Sequence, residues 1–373
     1  MMQINQDRLI QIFFNLISIS AISKQEKPVA DYIRAFLQRM NISVVEDHAG
    51  KIVGGNTGNI IAKIRPAGNN NAFQFCFTAH MDTVKPTSGI KPYLQNGKII
   101  TNGETILGAD NRAGIALILY LIESLQSITL FTPFEVIFTI GEETGLYGST
   151  HLDLGLLDSR VAYILDSSAD PGCYVYAAPS AVDFTISFIG KASHAAVNPQ
   201  DGINAISMAA HLIQNFQVGK VNNETTINFG KIQGGEANNI IPAQVTLSGE
   251  IRSFLKSHID ELFQKLMNRL HDTEKMFSGK CLLESEEAFP GFELDQKNEA
   301  IRRLISCFQA IGLKPQPLRY HGGSDANVLN NRGMVAIDLG IGAKNPHSLD
   351  EYIHVDHLLV MEQLLHRLVT PEE

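Results

Sequence analysis

The chain has 373 residues, 44% of them hydrophobic and 18% charged, with a net charge of −9. That length accommodates two domains and a large core, and the balance is ordinary for a soluble globular protein. No Lys/Arg cluster offsets the acidic balance, which argues against nucleic acid or an anionic membrane as partner, and no run of about 18 apolar residues suggests a transmembrane helix.

From the N-terminus, residues 7–20 read as a helix, and Ser23 with Glu26 has the spacing of a capping box for the next one. That second helix carries Val29, Tyr32, Ile33, Phe36, Leu37 and Met40 on one face. The first twenty residues lack a basic leader followed by a clean apolar core, so no signal peptide is expected. The scattered cysteines Cys76, Cys173, Cys281 and Cys307 contain no C-x-x-C pair. They fit reduced thiols, and a cytoplasmic protein is expected. Strand candidates at 43–47 and 59–64 flank a glycine-rich turn at 54–58.

The apolar run 73–77 reads as a buried strand that leads into TAHMDTV (78–84). His80 and Asp82 thereby sit at a strand's carboxyl end, the edge where open α/β sheets bind ligands. Residues 85–105 are loop-rich with short β candidates. GAD (108–110) precedes a strongly apolar helix from about Arg112. Two continuous apolar runs follow: FEVIFTI, ended by Gly141-Glu142-Glu143, and VAYILD, ended by Asp166. Such runs suit central parallel strands covered on both faces, and their alternation with helices predicts an α/β layered fold.

The pattern changes near Ala177. From Val182 the apolar period becomes two, through Phe184, Ile186 and Phe188. A helix at 202–216, strands at 225–232 and 243–252, a helix carrying Ile259, Leu262, Leu266 and Leu270, and a strand at 280–288 complete a β-α-β-β-α-β order. That order is the ferredoxin-like split unit. The first pattern then returns with a helix at 296–311, the glycine loop HGGSDAN (321–327), a buried strand at 334–340, His347 in NPHSLDEYI, and a closing helix at 355–368. The expected organisation is a catalytic domain of residues 1–179 and 291–373, interrupted by an inserted domain of residues 180–290.

Taken singly, the polar residues at these strand ends have ordinary explanations. Asp110 could cap a helix, Glu142 and Glu143 could be solvated loop charges, Asp166 could belong to a turn, and His347 could be a loop histidine. Together, two histidines and several carboxylates at strand ends suggest a two-metal hydrolase. Such sites hold their ions roughly 3.5–4 Å apart and need a bridging carboxylate.

These motifs, in this order and around an inserted β-α-β-β-α-β domain, resemble the dizinc peptidase family of peptidase T, carboxypeptidase G, aminoacylase and succinyl-diaminopimelate desuccinylase. The pattern is nearest to peptidase T-like proteins. The resemblance implies two divalent ions per chain, zinc with cobalt or manganese as alternatives. His80 and Asp166 would hold the first ion, Glu143 and His347 the second, and Asp110 would bridge them. Asp82 would fix the tautomer of His80, and Glu142 would be the general base that activates the metal-bound water. His194, in SHAAVNPQDGINAI (193–206), would reach the active site of the partner in a homodimer built through the inserted domain and stabilise the oxyanion. Asn239 and Arg252 would bind substrate or its carboxylate, while Gly322 and Gly323 would let the backbone approach it.

The sequence departs from the family at Asn111, where a second Asp is usual, and at Ala196, where Gly is frequent. The cis peptide typical of the family after the bridging Asp stays open. The expected reaction is exopeptidase cleavage of one amide bond in a short peptide, in the manner of a tripeptidase or aminopeptidase. An N-acyl amino acid amidohydrolase or a carboxypeptidase is the alternative within the family. A non-catalytic peptide-binding protein would be marked by a lost base or ligand, and here all six are present.

Overall fold

The computed structural model describes residues 4–69 and 71–370, and the chain divides into two compact units. The first runs to Ala177 and resumes as Glu293–Tyr320 and from Ser324 onward; the second is Ala178–Phe292 with His321–Gly323.

The first unit is built on a nine-stranded sheet. Across it the strands run Val44–Glu46, Ile60–Ile64, Phe134–Thr139, Cys76–His80, Val161–Ser167, Val335–Gly340, Cys173–Ala178 and Phe292–Glu293, with Gln316–Arg319 also paired to Cys173–Ala178. Cys76–His80 is parallel to both of its neighbours, and Val335–Gly340 is parallel to Val161–Ser167. His80 lies level with Thr139, so the carboxyl ends of the central strands share one edge. Every residue of Cys76–His80 and Phe134–Thr139 is buried, as expected for strands covered on both faces. Phe75, Phe77, Phe134 and Tyr163 interlock beneath that edge with ring centroids 5.3–6.3 Å apart. The helix Ala109–Ser124 is buried along almost its whole length, which explains why its sequence shows no polar face. A smaller sheet orders Ala343–Lys344, Tyr352–His354, Lys98–Ile100 and Tyr93–Gln95.

Several local expectations are corrected. Ser23 and Glu26 form no capping box: the helix Lys27–Gln38 has no side-chain cap at Glu26. The Ser23 hydroxyl donates instead to Asp82, and Glu26 Oε1 accepts the N–H groups of Lys24 and Gly141. The strand before His80 begins at Cys76, three residues later than the apolar run. A short helix, Ala49–Val53, precedes the glycine-rich turn and ends at Gly54, whose φ of 72° suits a left-handed C-terminal residue. The strand Cys173–Ala178 was not legible in the sequence.

The second unit is a five-stranded antiparallel sheet in the order Gly219–Lys220, Thr225–Gly234, Gln244–Ser253, Ser180–Ile189 and Lys280–Phe289. Its four long strands have the ferredoxin-like arrangement. The period-two residues Phe184, Ile186 and Phe188 pack in one cluster with Leu212 of the helix Ala205–Asn215 and with Leu262, Leu266 and Leu270 of the helix Lys256–Phe277. Among the described residues no helix is long and apolar enough to cross a membrane.

Candidate metal centre and active site

Two clusters of ligating side chains meet at the carboxyl edge of the large sheet. One is His80, Asp110 and Asp166; the other is Asp110, Glu143 and His347, and within each the ligand atoms lie within 4.8 Å of one another. Asp110 belongs to both. Its Oδ1 is 3.0 Å from His80 Nε2 and its Oδ2 is 3.5 Å from His347 Nε2. His80 Nε2 is also 3.4 Å from Asp166 Oδ1, and His347 Nε2 is 3.0 Å from Glu143 Oε2.

The local chain explains how these groups arrive together. His80 and Asp166 close two parallel strands, whereas Glu143 follows the strand between Ile60–Ile64 and Cys76–His80. Asp110 departs from helical geometry at φ −83°, ψ 104° inside the first turn of its helix, and the Asp110–Asn111 peptide bond is cis. Gly108, not Asp110, is the N-cap of that helix. The Asn111 side-chain amide donates to Asp166 Oδ1. His347 occupies a loop with φ 66°.

Beneath the clusters, Asp82 is fully buried. Its Oδ1 accepts the N–H of Glu142 at 3.2 Å, while its Oδ2 accepts the N–H of Glu143 at 3.2 Å and the Ser23 hydroxyl at 2.6 Å. His80 Nδ1 is 3.1 Å from the Asp82 carbonyl oxygen and 3.3 Å from its carboxylate. Two acceptors at Nδ1 place the ring proton there, which turns the Nε2 lone pair toward the carboxylates of Asp110 and Asp166. A lone pair facing two carboxylates is repulsive unless a cation lies between them. The same logic applies to Glu143, whose buried Oε1 has no hydrogen-bond partner. Imidazole nitrogen and carboxylate oxygen are also the donor set that zinc and similar divalent ions take. The residues therefore fit a pair of divalent ions that share Asp110.

With no ion between them, the same carboxylates would instead draw a second proton onto His80 Nε2. Burial opposes protonation of His80, yet the charge of Asp166 and the contacts with Asp110, Asp166 and Asp82 hold its pKa well above the usual value. Contacts with Asp110 and Glu143 lift His347 to about 10. Burial pushes Asp166 up to about 6, helped by Asp110 and Asp325. Burial also raises Glu142 well above the carboxylate range, and Asp166, Asp325 and Glu143 add to it against the charge of His80. The cluster holds more negative charge than its own histidines neutralise.

Two segments of the chain match family models: residues 176–277 match the M20 peptidase dimerisation domain, and residues 59–166 match peptidase family M28. An uncharacterized protein of Bacillus subtilis, YqjE, is 31% identical over 363 residues, 97% of each chain. The crystal structure of aminopeptidase PepT from Bacillus cereus is 32% identical, with 98% of each chain covered and a TM-score of 0.88. That of a Staphylococcus aureus tripeptidase is 29% identical, again with 98% of each covered, at a TM-score of 0.92. The chain belongs to the M20 peptidase family, on its peptidase T side. It is a metallopeptidase.

Of the residues singled out in the sequence of this M20 peptidase, the first unit brings together His80, Asp82, Asp110, Glu142, Glu143, Asp166 and His347. His194, Asn239, Arg252, Gly322 and Gly323 lie in the second unit. There His194 is exposed, and its Nδ1 accepts the N–H groups of Ala196 and Val197, each at 3.2 Å. The Asn239 carbonyl accepts the Ala195 N–H at 2.9 Å. The Arg252 guanidinium is gripped by both oxygens of Glu250, at 2.7 and 2.9 Å, and donates to the His321 carbonyl at 3.2 Å. Gly323 sits where a Cβ would fall 2.4 Å from the Phe289 ring, so the position accepts only glycine without movement of that ring.

Sequence reading found Asp82 but missed the other buried carboxylates behind the clusters of this peptidase. Glu26 and Asp82 hold the N–H groups of residues 141–143, Asp338 holds that of Ser167, and Glu351 holds those of Gly108 and Asp110. Asp325 accepts the Thr139 hydroxyl at 2.6 Å. Asp325 and Glu351 fall inside the quoted HGGSDAN and NPHSLDEYI motifs, and that position was the one signal that could have found them.

Proposed function

We propose that this enzyme removes a terminal residue from a short peptide, as a tripeptidase or aminopeptidase, with two divalent ions, zinc first and cobalt or manganese as substitutes. His80 and Asp166 would hold one ion and Glu143 and His347 the other, with Asp110 shared between them. The observation that carries this reading is the double use of Asp110, one oxygen toward each histidine. When bound, the ions act as Lewis acids on the substrate carbonyl and lower the pKa of water.

The chain's own groups supply the rest. Glu142, 4.0 Å from His80 and outside both ligand clusters, takes a proton from the attacking water and returns it to the leaving nitrogen. Asp82 keeps the His80 proton on Nδ1 and, through its bonds to two backbone N–H groups, sets the direction of both glutamates.

In the second unit, two backbone N–H groups occupy His194 Nδ1, so the ring proton resides on Nε2 and makes that nitrogen a donor. A preorganised donor aimed at the developing oxyanion is worth about 2.7–4 kcal/mol. The dimerisation-domain match over 176–277 and the edge strands of the five-stranded sheet support a homodimer formed through the inserted domain. In that dimer His194 of each chain serves the site of the other. Asn239, Arg252, Gly322 and Gly323 then approach the substrate, whose carboxylate would have to compete with Glu250 for the Arg252 fork.

The test is a panel of free tripeptides, dipeptides and N-acetyl amino acids, offered to protein loaded with zinc. Release of the N-terminal residue from free tripeptides supports the reading. Preferred hydrolysis of N-acetyl amino acids would make the enzyme an amidohydrolase and overturn it.

A further inference from the structure

Glu351 is 2% exposed, and the roles assigned above leave it unused. Its Oε2 accepts the Gly108 N–H at 2.7 Å and its Oε1 accepts the Asp110 N–H at 3.0 Å. These two N–H groups flank the start of the helix Ala109–Ser124, which has no side-chain cap of its own. Gly108 is left-handed at φ 71°, and Asp110 is non-helical. The turn that presents Asp110 is thus clamped by a carboxylate 241 residues further along the chain.

Glu351 is itself well anchored. It follows His347 by four residues in a loop tied by its own hydrogen bonds. Ser348 Oγ donates to the Asn345 carbonyl at 2.9 Å, the Asp350 N–H donates to Ser348 Oγ at 3.2 Å, and the Glu351 N–H donates to the Ser348 carbonyl at 3.3 Å. The next residues enter the strand Tyr352–His354, which is paired on both sides and buries Ile353. A single loop therefore carries one candidate ligand, His347, and grips the residue common to both ligand clusters.

We propose that Glu351 is a positioning residue that fixes the Asp110 carboxylate between the two metal positions, so that both depend on the His347 loop. The physical reason is the sharing. A carboxylate that serves two ions must keep both oxygens in place, and a small rotation of its backbone displaces both at once. A charge-assisted bond to each flanking N–H resists that rotation. Loss of such a supporting partner typically costs roughly 10–100-fold in metal affinity. A ligand that serves one ion, by contrast, weakens one position alone. The inference rests on Asp110 being the shared ligand.

The experiment titrates the metal-free full chain with cobalt(II) against a chromophoric chelator, for the wild type, Glu351→Gln and His347→Ala. The cobalt absorption spectrum and the thermal stability of the metal-free proteins are recorded alongside. The wild type is expected to take two ions. His347→Ala should weaken one position, with the other within a few-fold of wild type. Glu351→Gln, which keeps the shape and one acceptor oxygen, should weaken both by about 10–100-fold and change the cobalt spectrum. Glu351→Asp, which keeps the charge but shortens the reach, should act in the same direction and serves if Glu351→Gln does not accumulate folded.

Wild-type affinities and spectrum in the Glu351 variants, with only a lower melting temperature, would reduce Glu351 to a structural residue and overturn the proposal. Weakening of one position alone would overturn it too. A wild type that saturates below two ions would overturn the shared-ligand reading itself, and the proposal with it.

Discussion

Replacing each of the adjacent glutamates by glutamine separates the two tasks assigned to them. Glu143 Oε2 lies 3.0 Å from His347 Nε2 in a ligand cluster, and its other oxygen is buried without a hydrogen-bond partner. Glu142 comes no nearer than 4.0 Å to His80 Nε2 and belongs to neither cluster. Glu142→Gln preserves shape and leaves both clusters whole, but an amide cannot accept the proton. Removal of a general base costs about 10²–10⁴-fold in rate, or roughly 2.7–5.5 kcal/mol of barrier at about 1.36 kcal/mol per decade. Metal content should stay near two ions per chain while kcat falls by that factor. Glu143→Gln removes a charged ligand from one cluster, so one ion should be retained and the other lost on desalting. The assay is elemental analysis of desalted protein beside tripeptide hydrolysis followed by chromatography. Loss of an ion from Glu142→Gln with both ions kept by Glu143→Gln would show the roles exchanged and refute the assignment.

Exhaustive chelation should abolish hydrolysis, and readdition of zinc should restore it with a sigmoidal or two-step dependence on metal. A single hyperbolic step saturating at one ion would contradict a dinuclear site. Glu362 is fully buried, and burial pushes its pKa up to about 7 from 4.5. The folded state therefore holds this proton more tightly than the unfolded chain. The side chain costs nothing below pH 4.5, and its penalty grows between pH 4.5 and about 7, to at most roughly 3–4 kcal/mol. Relative to the metal-free wild type, Glu362→Gln should gain thermal stability between pH 5 and pH 8, and a pH-independent difference would refute the shift. Finally, His194→Ala mixed in equal amounts with Glu142→Gln should recover about a quarter of wild-type activity after subunit exchange, because half of the dimers gain one complete site in two. No recovery in demonstrated heterodimers would rule out action between subunits.

The large features of the fold were legible because they follow from periodicity. Continuous apolar runs gave the buried strands around His80, Glu142 and Asp166, and the change to period two at Val182 marked the inserted unit. The candidate ligands were legible as a group because each stands immediately after such a run or in a short motif. What stayed hidden depended on partners far away in the chain. Ser23-x-x-Glu26 has capping-box spacing, but spacing reports only a possible local bond; here the tertiary acceptor Asp82 and the tertiary donor Gly141 won. Glu351 reads as one more loop acid, since nothing local reveals that it will clamp backbone at Gly108 and Asp110. The strand Cys173–Ala178 was missed because it is six residues long and continues almost directly into Ser180–Ile189, so no breaker separates the two except Pro179. Arg252 was visible as a cation, but its engagement by Glu250 two residues earlier on the same strand needed the pleat to be seen.

The strand order has a consequence for the time course of synthesis. Val161–Ser167 and Cys173–Ala178 are successive in the chain, yet Val335–Gly340 lies between them in the sheet. The parting strand leaves the ribosome about 160 residues after the pair it separates, a delay of roughly 8–30 s at about 5–20 residues per second. Throughout that interval the strand bearing Asp166 has one bare edge, and direct pairing with its neighbour in sequence is the nearest wrong partner. The inserted unit emerges during the same interval with a complete sheet and core of its own, so it can fold while the catalytic half waits. Nascent chains arrested before residue 335 should therefore carry a protease-resistant inserted unit beside a catalytic half that is still digested, and such chains would lean most heavily on chaperones.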